Sequence, residues 1–199
     1  MPTTITSRGE NPPRPLPPIC PKGSTPELTF YKTARYAPMP DVKETIEIAI
    51  KAEMDAAENY RRAARQTNLF LLRDKFQFLV KEEEGHRRVL ERLFAKKFPH
   101  EDVVLPDTED MPYREFREYE VQPTMQLHEI IEKAMEGEKR AIDFYQRLGD
   151  MMEEDDEKAI ARYLASMEES HYYLLKSELE MVRNFELYDE VHNMMHVGP

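Results

Sequence analysis

The stretch Phe78 to Leu90, FLVKEEEGHRRVL, places Glu83 and His86 three residues apart. On an α-helix that spacing puts both side chains on one face, because positions i and i+3 are surface neighbours. Leu79 and Leu90 share the same side of the pattern, so the pair is expected to point inward, toward other helices. A carboxylate and an imidazole buried together need a partner, and a metal ion is the obvious one. Taken alone, Glu-x-x-His is a common accident in a chain so rich in Glu. It gains weight because the stretch occurs twice.

Glu168 and His171 are also three apart, and they follow Glu83 and His86 by 85 residues. The same shift relates Glu53 to Glu138 and Tyr60 to Tyr145. Without a gap it also pairs Ile46 with Ile131, Ala49 with Ala134, Ala56 with Ala141, Leu79 with Leu164 and Leu90 with Leu175. Polar motifs and their apolar frames keep one register, so the chain reads as a duplicated helix pair. Each half supplies one helix with a lone inward Glu and one helix with Glu-x-x-His.

Composition agrees with an all-helical reading. The 199 residues are long enough for one domain with a real core. They are 34% charged and 40% hydrophobic, with six Gly and no Trp, a balance that favours amphipathic helices over sheets. A net charge of −11 argues against nucleic acid as a partner, since phosphate backbones attract clustered Lys and Arg. The single cysteine, Cys20, excludes an intrachain disulfide framework and an all-cysteine metal site. No apolar run approaches the ~20 residues needed to span a bilayer, and no apolar signal core opens the chain, so a cytoplasmic protein without membrane contact is expected.

Residues 1–40 hold ten of the fifteen prolines and read as an extended N-terminal arm. The bundle is expected over 41–185 and a C-terminal tail over 186–199. Asp41 is a candidate N-cap, with Glu44 three residues on, for a first helix from Val42 to Gln66. Its stripe Ile46, Ala49, Ile50, Ala56, Ala57 and Tyr60 is interrupted by Glu53. The second helix is expected from Leu69 to Phe98, the third from Thr124 to Leu148 with Gly149 as its stop, and the fourth from Glu153 to Asn184. Four prolines between Pro99 and Pro123 mark a long connection, with a brief helical turn at Tyr113 to Tyr119. If the flanking helices run parallel, it crosses about 40 Å of bundle, within reach of some 24 extended residues.

Two Glu-bearing helices facing two Glu-x-x-His helices form the arrangement by which four-helix bundles hold two metal ions. Carboxylate and imidazole ligands suit iron or manganese. The motifs AIKAEMDAAENY, VKEEEGHRRVL, AMEGEKRAIDFY and SMEESHYYLL resemble those of the rubrerythrin branch of the ferritin-like superfamily. The resemblance implies an all-α, ferritin-like four-helix bundle of two repeated helix pairs with a long crossover connection. It implies a di-iron centre, with manganese or mixed metal as the variant, ligated by Glu53, Glu83, His86, Glu138, Glu168 and His171. It further implies reduction of hydrogen peroxide or dioxygen by electrons from an external rubredoxin-like or flavoprotein donor, in a homo-oligomer such as a dimer. The alternative is a ferroxidase or iron-storage protein of ferritin type.

Two departures from the family pattern stand out. The four-cysteine module common in rubrerythrins is not among these 199 residues, so the donor is expected to be a separate protein. Met135 and Ala141 flank Glu138 where an extra carboxylate is usual, leaving a symmetric six-ligand set. Tyr60 and Tyr145, two turns beyond the lone glutamates, are the candidate catalytic side chains. They either hydrogen-bond to ligand carboxylates and quench radicals, or serve as core aromatics with satisfied hydroxyls. Glu58 and Asp143 also obey the repeat but fall on the solvent side. His192 and His196 are read as part of a flexible end, and Cys20 as an incidental thiol.

Overall fold

The computed structural model of the chain describes residues 40–107 and 122–196, with backbone only at 189, 190 and 193–196. Its elements are four helices: α1 Val42–Gln66, α2 Phe70–Lys97, α3 Leu127–Met151 and α4 Asp155–His196. The proline-rich arm, Cys20 and the expected turn at Tyr113 to Tyr119 lie outside the described residues.

Local chemistry sets the helix ends. Asp41 caps α1 by accepting from the Glu44 amide at 3.0 Å, as its position before Glu44 predicts. A three-residue link joins α1 to α2: the Thr67 hydroxyl oxygen accepts from the Leu69 amide at 3.1 Å, and Arg73 donates to the Thr67 carbonyl at 3.0 Å. α3 begins three residues later than expected, because Gln126 is the capping residue; its amide donates to the Glu129 carboxylate at 2.8 Å. Gly149 does not stop α3, which continues to Met151. A Cβ built at Gly149 would stand 3.4 Å from Ala161 Cβ, so its smallness serves the close approach of α3 to α4.

The end of α4 differs most from expectation. It continues past Asn184 to His196, so the sequence through His196 is helical. Hydrophobic patterning fades after Phe185 because the helix there leaves the bundle: Phe185, Leu187, Tyr188 and Val191 are exposed. Local pairs support the extension. Tyr188 stacks on His192 at 6.0 Å, and His128 of α3 pairs with Glu186 at 3.0 Å.

Each hairpin, α1 with α2 and α3 with α4, forms a tightly packed pair, and the two pairs meet through α2 against α4 and α1 against α3. Lys97 meets Glu157 at 2.8 Å while Lys75 approaches Glu178 at 4.0 Å, so α2 and α4 run antiparallel. Tyr60 meets Glu138 while Tyr145 meets Glu53, so α1 and α3 are antiparallel too. α2 and α3 are therefore parallel, and the connection between them joins opposite ends of the bundle. It sets out along α1, where Lys43 pairs with Glu101 at 2.5 Å and the Val104 amide donates to buried Glu47 at 2.9 Å.

Two apolar clusters fill the bundle. One contains Ile46, Ile50, Leu90, Phe94, Leu148 and Leu164. The other contains Ala63, Leu72, Phe76, Leu79, Ile131 and Leu175. Repeat partners such as Leu79 and Leu164 occupy opposite clusters, as antiparallel halves require. Between the clusters lies a buried polar layer. Among the described residues no helix is long and apolar enough to cross a membrane.

Candidate metal centre

All six residues singled out by the repeat are buried and fall in this layer. Glu53, Glu83, His86, Glu138, Glu168 and His171 are each no more than 5% exposed. Glu83, His86, Glu168 and His171 offer ligand atoms that all lie within 4.8 Å of one another. They come from α2 and α4, where i and i+3 spacing stacks carboxylate and imidazole on the inward face. The two rings lie nearly parallel, with centroids 5.3 Å apart.

The carboxylates divide into two kinds. Glu83 directs Oε2 to His86 Nδ1 at 3.0 Å and Oε1 to His171 Nδ1 at 3.4 Å. Glu168 mirrors it, with Oε2 at 3.1 Å from His171 Nδ1 and Oε1 at 2.9 Å from His86 Nδ1. Each of these carboxylates therefore serves both imidazoles. Glu53 approaches only His86, at 3.7 Å, and Glu138 only His171, at 3.9 Å. Such a pattern gives two equivalent positions, each bounded by one imidazole, one carboxylate of its own and two shared ones.

Tyr60 and Tyr145 reach across the halves. The Tyr60 hydroxyl donates to Glu138 and the Tyr145 hydroxyl to Glu53, so each tyrosine holds the lone glutamate of the opposite repeat. Glu58 and Asp143 stay away from the centre as expected, paired with Arg65 at 3.0 Å and Arg147 at 3.9 Å.

Electrostatics show what the layer lacks. Burial, then the charges of Glu168 and Glu83, push the Glu53 and Glu138 carboxyls well above the usual carboxylate range. Burial and the neighbouring Glu53 push the Tyr145 phenol up as well, keeping it a donor. Burial alone would lower the imidazoles, yet hydrogen bonding to Glu168 and Glu83 overcomes it and His171 is pushed up to about 11. His86 moves the same way. Burial opposes ionisation of Glu168, but the two imidazoles beside it hold it down to about 2. Without metal, protons on two imidazoles and two carboxyls compensate four buried carboxylates.

Protons compensate charge but leave hydrogen bonding incomplete. His86 Nε2 and His171 Nε2 are buried without a hydrogen-bond partner among the described residues, and Glu168 Oε1, though 2.9 Å from His86 Nδ1, is not aligned for a hydrogen bond. Orphaned atoms of this kind at one centre are uncommon in folded proteins. Two divalent cations would match the charge of the four carboxylates and use Glu168 Oε1 and a nitrogen of each ring, so the residues present fit a bimetallic site.

Beside this layer, between α1 and α3, lies a cavity of about 60 Å³. Sequence reasoning did not anticipate it, although a signal was present. Every residue that lines it has its partner at the 85-residue shift also in the lining, as with Ala49 and Ala134, Ala56 and Ala141, and Ala52 and Gly137. Small side chains at paired positions on two facing helices hold the seam open.

Comparison with known proteins agrees with the geometry. A family model described as Rubrerythrin matches residues 44–179. A hypothetical protein from Pyrococcus furiosus is 31% identical, covering 77% of this chain and 95% of that one, with a TM-score of 0.62. The bacterioferritin-related protein from Bacteroides fragilis, described as a dodecameric thioferritin, is 19% identical over 74% of this chain and 91% of its own, with a TM-score of 0.56. No curated protein matches. The second likeness supports the fold, a ferritin-like four-helix bundle. With duplicated Glu-x-x-His helices, a buried Glu and His cluster and a family match across all four helices, the chain belongs to the Rubrerythrin family.

Proposed function

We propose that this chain is a di-iron oxidoreductase that reduces hydrogen peroxide, or dioxygen, with electrons from a separate donor protein. The observation that carries the reading is the placement of Glu83 and Glu168, each facing both imidazoles. Glu53, Glu83, His86, Glu138, Glu168 and His171 would hold the metals, with Glu83 and Glu168 shared and the other two carboxylates terminal. When bound, the iron pair supplies Lewis acidity and the electrons for reduction. The chain's own contribution is to fix the ligands on rigid helices, exclude bulk water through two apolar clusters, and orient Glu53 and Glu138 through the tyrosine hydroxyls. Tyr60 and Tyr145 touch the carboxylates, so their proposed part is to position the ligands and to keep protons beside them. Manganese or a mixed pair fits the same donor set.

A second reading, iron oxidation for transfer or storage, is favoured by one feature. Met135 and Ala141 leave the site without the additional carboxylate that the resemblance leads one to expect, so the six ligands stand in two equivalent sets. A homo-oligomer fits either reading, since Phe70 and Leu71 on α2 and Phe185, Leu187 and Tyr188 on α4 are exposed. Rapid mixing of the reduced, iron-loaded protein with peroxide, followed by desalting, separates the two. Peroxide consumption with iron retained through many turnovers is expected; iron released in each cycle would establish the second reading instead.

A further inference from the structure

The cavity between α1 and α3 carries an asymmetry that the duplicated sequence does not explain. Six of its eight wall pairs at the 85-residue shift are the same or similar residues, but Asn59 pairs with Phe144 and, with a reversal of charge, Asp55 pairs with Arg140. Asp55 is already committed, since Lys51 donates to its two carboxylate oxygens at 2.5 and 2.6 Å. Arg140 is not. It lines the cavity half-buried, and its Nε is buried without a hydrogen-bond partner among the described residues. A guanidinium carries five donors and is always charged, so a buried, unmatched nitrogen on a side chain that lines a cavity awaits an acceptor. The nearby carboxylates do not supply it: Glu53 and Glu138 are held by the tyrosines.

The cavity also limits size. About 60 Å³ holds a ligand of two or three heavy atoms. At Gly137, one turn before Ala141 on the same wall, an added Cβ would meet nothing within 4 Å, so the opening depends on an absent side chain.

We propose that this cavity is the binding chamber for the small oxidant and that Arg140 recognises it. Arg140 would donate to a ligand of two or three heavy atoms that carries lone pairs or negative charge, peroxide as substrate and a linear anion as its stand-in. This rests on the oxidoreductase reading above for the identity of the substrate, but not for the existence of the site.

The test uses azide as the probe, titrated calorimetrically into the full-length, metal-loaded protein, with peroxide turnover on a chemical reductant measured in parallel. Arg140→Ala is expected to weaken azide about tenfold or more and to raise KM for peroxide by a similar factor, the loss of one charge-assisted hydrogen bond, with kcat and metal content kept. Arg140→Lys should recover part of the affinity, and Gly137→Leu should abolish azide binding while the metals stay bound. Azide binding unchanged in Arg140→Ala would overturn the proposal, as would loss of metal from that variant, which would make Arg140 a structural residue. Arg140-dependent azide binding in a protein that consumes no peroxide would support the chamber and refute the peroxidase reading.

Discussion

Glu83 and Glu53 are both buried glutamates, yet their surroundings assign them different consequences. Glu83 faces both imidazoles and Glu53 only one. Replacing Glu83 with Ala is therefore expected to reduce metal content from about two per chain toward none, and Glu53→Ala toward about one. Metal analysis of anaerobically purified variants checks this, and equal losses would contradict the shared-ligand assignment. Tyr60→Phe and Tyr145→Phe remove the donors to Glu138 and Glu53; each is expected to weaken metal binding about 10- to 100-fold, measured by competition with a chelator. The six buried Glu and His residues of the polar layer were legible in the sequence because two polar motifs shared one apolar register. Arg140 was not, because a single Arg on a highly charged helix reads as a solvated residue, and only the cavity shows otherwise.

Helices show a similar division between what the chain announces and what packing decides. Asp41 before Glu44 announced the start of α1 correctly; Asp41→Ala is expected to cost about 1 kcal/mol in denaturant melts. Thr124 misled because Gln126 and Glu129 offer the better reciprocal cap. Gly149 looked like a stop signal, and its role became clear only when α4 was in place beside it. The two helical glycines should respond differently to Ala. Gly137→Ala, with open space around the new Cβ, is expected to stabilise by about 0.5–1 kcal/mol. Gly149→Ala should gain nothing or lose stability against Ala161, and equal gains at the two sites would refute the close-approach account. The end of α4 was hidden for another reason: hydrophobic periodicity reports burial, and the last turns of that helix have little to bury.

At the scale of the molecule, the repeat predicted two equivalent halves but not how they face one another. The sequence set each tyrosine two turns beyond the lone glutamate of its own repeat, and antiparallel docking of the halves brings its hydroxyl to the glutamate of the other. The same docking concentrates four carboxylates in one layer, and this gives the protein a distinctive response to pH. In the metal-free state Glu53 and Glu138 titrate above their unfolded value of 4.5, so their stabilising contribution is complete below that value and is lost as pH rises. His171 contributes fully below 6.5 and loses its contribution as pH rises through about 11. Glu168 acts in the opposite sense, contributing above 4.5 and losing stability as pH falls through about 2. Metal-free protein is thus expected to be most stable near pH 4.5 and to lose stability as pH rises from there, and denaturant midpoints highest above pH 8 would contradict this. Metal reverses the trend, because the ligands must surrender their protons to bind it.

That exchange supplies the most direct measurement of the central claim, that six side chains from four helices form one bimetallic site. Anaerobic titration of the metal-free protein with Fe(II), in buffers of different ionisation enthalpy, reports stoichiometry and proton release together. Saturation at about two ions per chain with release of about four protons is expected, and both should fall in Glu168→Ala. Binding of a single ion, or binding unaffected by loss of Glu168, would contradict the account.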